Sequence, residues 1–426
     1  MHIGGTPNIE TPATPRNSGI YRGWYIAAVS ALSIGAVLGT VQFTFSLFII
    51  PLEDEFGWTR TQVNGALSIG IISSLMSPIM GNILDRFGSK WTMAISVLLV
   101  AIAFVLRSVM TELWQFYLFT AIMFAGTPGA TMLPAGKLVM TWFPSIRGRM
   151  MGRVTAGNNI GSGIATPVVA SLITLVGWRW TFGVLGIALF GLAIIIVLVI
   201  SDNPDDVENE KGKKWSPPEQ SGASRLNPRA GLSVSAVLHS QAFWLLAIGM
   251  TLQQFLRTAV VSQMVPHLQQ VGFSFAAATS AMIVLAIGGA SSKLIFGQLS
   301  ETVTARIAFV MVMALQFVGL LLLTFAGGSL MAWVAIPIFG LGMGGVGALT
   351  PLVVAEMFGV RNLGTITGLT RASIGIPVVA GPIMAGLIYD NTGKYELMHI
   401  ITMAFLVVSI ACFVFARRPE AASVNN

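Results

Sequence analysis

Charge is scarce in this 426-residue chain: Asp, Glu, Lys and Arg together make up 10%, where a soluble domain carries roughly 25%. Apolar residues supply 54% instead, and no water-soluble fold keeps so apolar a chain dispersed. Cysteine is all but missing: Cys412 stands alone, which excludes a disulfide framework and any multi-cysteine metal site. The sequence also lacks a phosphate loop ending in GK[ST], an HExxH pair and a nucleophile–base constellation, so neither an enzyme nor a bound cofactor is expected. No cleavable signal peptide stands out, because residues 1–20 are rich in Thr, Pro and Asn and the apolar span behind them is too long for one.

What is present is a series of long apolar runs. A bilayer core of about 30 Å needs about 20 helical residues. Runs of that length occur at 22–50, 61–84, 90–110, 113–142, 148–176 and 179–201, then at 240–268, 274–299, 304–326, 329–357, 362–389 and 394–416. The expected fold is therefore an all-α membrane protein of twelve transmembrane helices. The longest polar interruption, 202–239, has too little apolar surface to order itself and divides six spans from six. It is read as a cytoplasmic linker between an N-terminal half, 21–201, and a C-terminal half, 240–417, with cytoplasmic tails at 1–20, expected to be disordered, and 418–426.

Lys and Arg sort by side. Arg86, Lys90, Arg147, Arg149, Lys211, Lys213, Lys214, Arg306, Arg361, Arg417 and Arg418 fall on loops or ends of one parity, against Arg60, Arg179 and Lys394 on the other. The positive-inside rule then puts both termini in the cytoplasm. The net charge of +7 thus reflects topology, and dispersal of the basic residues among short loops argues against nucleic acid. The halves also echo each other at an offset of about 215 residues, with FPSIRG at 143–148 and FGVRNLG at 358–364, each opening the fifth span of its half. Parallel repeats of this kind place a substrate site near mid-membrane, between the halves.

The loop between spans two and three reads Gly81-Asn-Ile-Leu-Asp85-Arg86-Phe-Gly88-Ser-Lys90, which resembles the GxLxDRxGrK signature of the major facilitator superfamily. Gly81 permits close helix approach, Asp85 can sit at the positive end of a neighbouring helix, and Arg86 with Lys90 can pin the cytoplasmic face. These four are read as gating or topology residues and not as substrate ligands. Gly23-Trp24-Tyr25, the stretch Phe45 to Arg60, and Phe143-Pro-Ser-Ile-Arg147-Gly-Arg149 with Gly152, Gly157 and Gly161 are similar to bacterial members of the monocarboxylate-porter and oxalate–formate exchanger group. The resemblance implies that Lys293, four residues before Gly297, takes the place of a span-eight arginine, and that Arg371 takes the place of a second cation in span eleven. Where animal monocarboxylate porters carry a lysine in span one and an aspartate before the span-eight arginine, this chain has Ile50 and Gly289.

A cation at the bilayer centre costs about 2.5–3.5 kcal/mol on insertion scales and marks function by default. Lys137, Arg153 and Arg107 lie near helix ends and are expected to snorkel. Lys293 and Arg371 lie about 9–14 Å from the cytoplasmic boundary on antiparallel helices, and Arg257 sits nearer the outside, beside Gln253, Gln254, Thr258 and Ser262. No mid-membrane Asp or Glu balances them, so an anionic substrate can supply the counter-charge, Arg as a planar fork and Lys as a point charge. The other reading has each bond backbone carbonyls freed near Pro266, Pro351 and Pro377. Gln42 and Thr44 in span one, Thr127 and Thr131 in span four, and Asn158 and Asn159 in span five are further polar candidates, Gln42, Thr127 and Asn158 being taken as substrate contacts. His267 is read as solvated or locally bonded.

The expected protein is a monomeric secondary transporter of a small organic anion, a mono- or dicarboxylate, working by alternating access in a bacterial inner membrane, with protons or a counter-anion as the coupled partner. The alternative is an exporter of amphipathic drugs or metabolites on the same fold.

Overall fold

A computed structural model describes residues 21–204, 231–326 and 328–419. The tail 1–20, most of the linker and the end from 420 lie outside the described residues. The first helix, α1 (Arg22–Leu38), runs into a π-turn at Gly39–Phe43 and a 3-10 turn at Phe45–Phe48 before α2 (Ile49–Phe56). Gly57, at φ 67°, ends α2 in the left-handed conformation that glycine tolerates best. Thr59 and Gln62 then cap each other's backbone to start α3 (Arg60–Ser68). The expected span 22–50 is thus helical only as far as its π-turn in regular α geometry.

Next come α4 (Ile71–Ser108), α5 (Leu113–Ala130), α6 (Met132–Trp142) and α7 (Arg147–Val199). Two of these are broken rods. Gly88 in α4 has φ 82° and ψ 173°, and Gly177 in α7 has φ 80° and ψ 164°, both outside helical space and open to glycine. Across Gly88 the chain doubles back: Ser96 Oγ lies 3.9 Å from Met80 Sδ, where an unbroken helix would hold them about 24 Å apart. These breaks fall between the spans expected at 61–84 and 90–110, and at 148–176 and 179–201. Span 113–142, by contrast, divides at Thr131, whose φ −127° and ψ −110° separate α5 from α6.

The remaining helices are α8 (Val234–Leu238), α9 (Gln241–Ser262), α10 (Met264–Gln270), α11 (Phe275–Leu299), α12 (Ala305–Thr324), α13 (Ser329–Phe358), α14 (Leu363–Thr392) and α15 (Glu396–Phe415). Among the described residues ten helices are long and apolar enough to cross a membrane. The described ends of the 202–239 segment are ordered, contrary to expectation. Asp202 accepts from the backbone of Ser89 (2.5 Å) and Lys90 (3.2 Å), capping the rod that follows Gly88. At the other end, Leu232 N donates to Phe358 O at 3.0 Å and Asn362 Nδ2 to Leu232 O at 2.9 Å, and Ser233 caps α8. Backbone partners hold these pieces, and the second also buries Val237 in the core with Leu232 and Leu238 packed against it.

The outer surface is greasy by design of the sequence period. Along the second rod of α7, Ile187, Phe190, Ile194 and Leu198 are exposed at helical spacing, while Leu185, Leu189, Leu192 and Ile196 on the opposite face are buried. Such an outward stripe suits lipid, not water. Inside, small residues let backbones meet, as where Ser409 Oγ donates to Gly249 O at 2.7 Å between α15 and α9.

Arg107 departs from expectation, since it does not snorkel. Its side chain is buried, donates to Thr120 Oγ1, and lies with its guanidinium 4.8 Å from the ring of Phe116 and 5.5 Å from that of Phe182. The two π-faces take the place of water around the charge. Arg107→Ala is expected to destabilise the protein by about 2–4 kcal/mol through the cavity it leaves. Arg107→Met should recover most of that, because an apolar side chain fills the space without a buried charge; unfolding midpoints of the two purified variants test this.

Candidate functional site

Three helices each carry a buried or half-buried cation, Lys293 on α11, Arg257 on α9 and Arg371 on α14. The charge of Arg257 acts on both Lys293 and Arg371. Packing of α9 on α14 sets this register, through Thr251 Oγ1 donating to Ser373 Oγ at 2.9 Å and Thr258 Oγ1 to Pro377 O at 2.8 Å. Lys293 is 8% exposed. Its Nζ donates to Asn159 Oδ1 at 2.5 Å and to Thr155 O at 3.3 Å, both on α7. Arg257 is half-buried and donates from Nε to Gln254 Oε1 at 3.0 Å. Arg371, also half-buried, makes no hydrogen bond among the described residues. None of the three forms an ion pair there. Neutral oxygens orient Lys293 and Arg257 without cancelling their charge, and the positive field is what an anion would neutralise.

The other expected contacts are less united. Gln42 lies in the π-turn with its side chain exposed, at the kind of helix irregularity that recurs at functional sites. Thr127 is buried and its hydroxyl donates to Met123 O in its own helix at 2.9 Å. Asn158 is half-buried with an unpartnered Oδ1, and it is the neighbouring Asn159 that reaches Lys293. Adjacent helical residues point about 100° apart, so only one of the pair can face α11.

A second constellation sits at the Asp85 end. The Asp85 carboxylate accepts from Gly364 N (3.2 Å), Thr365 N (2.7 Å) and Thr365 Oγ1 (2.8 Å) at the start of α14. The two backbone N–H groups are ones the helix itself cannot satisfy, at its positive end. A Cβ on Gly81 would collide with Gly364 O, so glycine is what lets α4 and α14 touch here. Lys137 is drawn to the same carboxylate: Nζ is 3.1 Å from Asp85 Oδ1 and 3.2 Å from Leu84 O. Its expected snorkelling is therefore replaced by an ion pair. Arg86 is exposed, and the Lys90 ammonium lies 5.7 Å from the Trp91 ring. Arg153 is exposed, as expected, with its guanidinium 5.9 Å from the Trp24 ring.

The arrangement recurs at an interval of 216 residues, where Gly297 and Glu301 follow Gly81 and Asp85. Glu301 Oε1 accepts from Arg149 N at 2.7 Å at the start of α7, and its Oε2 lies 3.3 Å from the Arg149 guanidinium. A Cβ on Gly148 would collide with Gly297 O. Sequence reading found the first carboxylate and missed the second, although the same repeat that matched FPSIRG to FGVRNLG carries Asp85 onto Glu301.

His267 is not solvated. It is 7% exposed, neither ring nitrogen has a hydrogen-bond partner of good geometry, and its ring centroid is 4.7 Å from that of His399. With Gln270, Thr324, Tyr395 and Glu396 it lines a cavity of about 500 Å³ at the end of the molecule away from Asp85.

Comparison with known proteins agrees with this architecture. The sequence matches the profile of the Major Facilitator Superfamily over residues 31–376 and 294–426. It is 24% identical over 395 residues to monocarboxylate transporter 10 of Homo sapiens, covering 88% of this chain and 74% of that one. It is 25% identical over 372 residues to the uncharacterized MFS-type transporter YhjX of Escherichia coli strain K12, covering 85% and 87%. The proton:xylose symporter XylE, bound to 6-bromo-6-deoxy-D-glucose, superposes with a TM-score of 0.70 at 15% identity, over 93% of this chain and 96% of that one. By sequence profile and by fold, this multi-pass membrane protein belongs to the Major Facilitator Superfamily of transporters.

Proposed function

We propose that the chain is a secondary active transporter that carries a small organic anion, a mono- or dicarboxylate, across a bacterial inner membrane by alternating access. Counting the rods on either side of Gly88 and Gly177 separately gives twelve spans, in two six-helix halves at 21–201 and 240–417, with the termini and the 202–239 linker on the cytoplasmic side. The observation that carries the reading is a set of buried or half-buried cations, Lys293, Arg257 and Arg371, with Arg257 within electrostatic reach of the other two and no carboxylate partner among the described residues. Unpaired cations this far inside an apolar molecule are costly, and a bound anion offsets that cost. Distant kinship with monocarboxylate transporters adds support.

In this reading Gly81, Asp85, Arg86 and Lys90, with Glu301 as a second latch, form the cytoplasmic gate, and the state described is closed on that side. The site accepts either coupling partner, a proton or a counter-anion. Uptake into liposomes driven by a pH gradient, against uptake driven by preloaded anion, separates them.

The test is a thermal-shift screen of the purified protein against mono-, di- and aromatic carboxylates and against amphipathic cations, with Lys293→Ala and Arg371→Ala in parallel. A carboxylate at 100 times its dissociation constant should stabilise the wild type by about 2.7 kcal/mol, with no response from either folded variant. Stabilisation by amphipathic cations or neutral compounds, equal in all three proteins, would overturn the anion reading and support an exporter of amphipathic compounds.

A further inference from the structure

Where α7 crosses α11, three pairs of positions face one another in antiparallel register. A Cβ on Gly148 would strike Gly297 O, and one on Gly152 would strike Lys293 O. Two turns further along, Asn159 Nδ2 donates to Ala286 O at 3.4 Å. At that last position the Asn159 amide does two things at once, since its Oδ1 also accepts from Lys293 Nζ at 2.5 Å. Ala286 and Lys293 are seven residues apart and share a face of α11, and the long lysine side chain runs back toward Ala286, so one amide meets both. The orientation of the amide is fixed by chemistry. Turned over, it would press an NH2 donor against an ammonium that has only donors to offer.

We infer that Asn159 is a positioning residue that presents the Lys293 ammonium to the anion and does so only while α7 and α11 are in contact. The inference rests on the anion reading of Lys293 given above. Lys293 has three N–H donors, and α7 takes two of them, through Asn159 Oδ1 and Thr155 O. One remains for a ligand. A long, flexible side chain is held in one geometry before the anion arrives, so less freedom is lost on binding. The holder is neutral, which matters as much as its reach. An amide orients the charge and leaves it intact, whereas a carboxylate in the same place would cancel it.

A conformational consequence follows from the placement. Both acceptors belong to α7 and the cation to α11. Any rocking that parts these helices strips Lys293 of both, loosens the ammonium and lowers the affinity for the anion in the state that opens the seam. Asn159 thereby links release of the anion to movement of α7 from α11.

The experiment measures carboxylate dissociation constants of the full-length purified protein by thermal shift, using formate, lactate, oxalate, malonate, succinate and benzoate as probes. Uptake KM and kcat are measured in proteoliposomes alongside. Asn159→Asp is expected to abolish the carboxylate response, and Asn159→Ala to weaken binding about tenfold and raise KM with a smaller change in kcat. In a Lys293→Ala background Asn159→Ala should add nothing, because it acts through the lysine. If either Asn159 variant fails to fold, the other carries the test. Wild-type affinity or tighter binding in Asn159→Ala, with Lys293→Ala defective, overturns this inference and leaves the anion reading standing. Absence of any carboxylate response in the wild type overturns both.

Discussion

Arg371→Ala is expected to weaken carboxylate binding by a hundredfold or more, and Arg371→Lys by about tenfold. Of the three cations, Arg371 is the one whose hydrogen-bonding capacity is unspent among the described residues, whereas Lys293 is held by Asn159 and Thr155 and Arg257 by Gln254. Five N–H donors in a planar fork are therefore open to a ligand. A carboxylate that engages the fork gains two charge-assisted hydrogen bonds worth about 1.5–3 kcal/mol each, and losing both amounts to at least a hundredfold in affinity. Lysine keeps the charge and loses the fork. The same substitution has a second, opposite effect that guards against misreading. Arg371 and Arg257 carry like charges within electrostatic reach, so when no anion is present relief of that repulsion should offset part of the packing lost in the alanine variant. A variant that binds carboxylates within threefold of wild type would place the anion elsewhere.

Why the cations were legible in the sequence and their partners were not is a matter of range. A lysine or arginine inside an apolar run announces itself, because the cost of burying it is local to that run. What holds it depends on helix rotation and on another segment altogether. Asn158 and Asn159 look alike in the sequence, and the turn of α7 gives Lys293 to the second. Lys137 sits near a helix end, where depth alone says snorkel, and the carboxylate that captures it is on α4. Arg107 likewise finds its aromatic box on α5 and α7.

The helix breaks divide the same way. Gly88 and Gly177 stand in short polar or glycine-bearing interruptions that single-sequence reading uses. The π-turn at Gly39–Phe43 has no such mark. It comes where Gly39 lies against Gly161 of α7, so close that a Cβ would crowd the Gly161 carbonyl at 2.9 Å. That contact belongs to tertiary packing, and only the folded molecule shows it. The ordered ends of the 202–239 segment are a third case: composition shows little apolar surface there, yet Asp202 accepts from the Ser89 and Lys90 backbone at one end, and at the other Leu232 bonds to Phe358 while Val237 is buried in the core, partners that lie in other segments.

Removing both carboxylate latches, as Asp85→Asn with Glu301→Gln, is expected to shift the balance between closed and open at the Asp85 face by more than a hundredfold toward open. Each acid docks on the N-terminus of a helix, Asp85 on α14 and Glu301 on α7, so the two latches cross the α4–α14 and α7–α11 contacts in opposite senses. The amides keep the shape and lose the charge. Charged acceptors on backbone N–H groups contribute about 1.5–3 kcal/mol each, and two latches together exceed the roughly 3 kcal/mol that a hundredfold shift requires. Either substitution alone should give a partial shift, because the other latch still spans its own seam. Asp85→Asn carries an extra penalty, since Lys137 loses its ion partner and keeps only Leu84 O. Spin labels at Phe87 and Arg361, both exposed, with the native Cys412 replaced by Ser, report the separation of α4 from α14. The double variant should show a longer distance distribution, and transport should slow because the return to the closed state becomes the uphill step. An unchanged distribution would mean that the glycine-lined backbone contacts, Gly81 on Gly364 and Gly148 on Gly297, hold the face shut unaided, and that the acids only steer which helix ends meet.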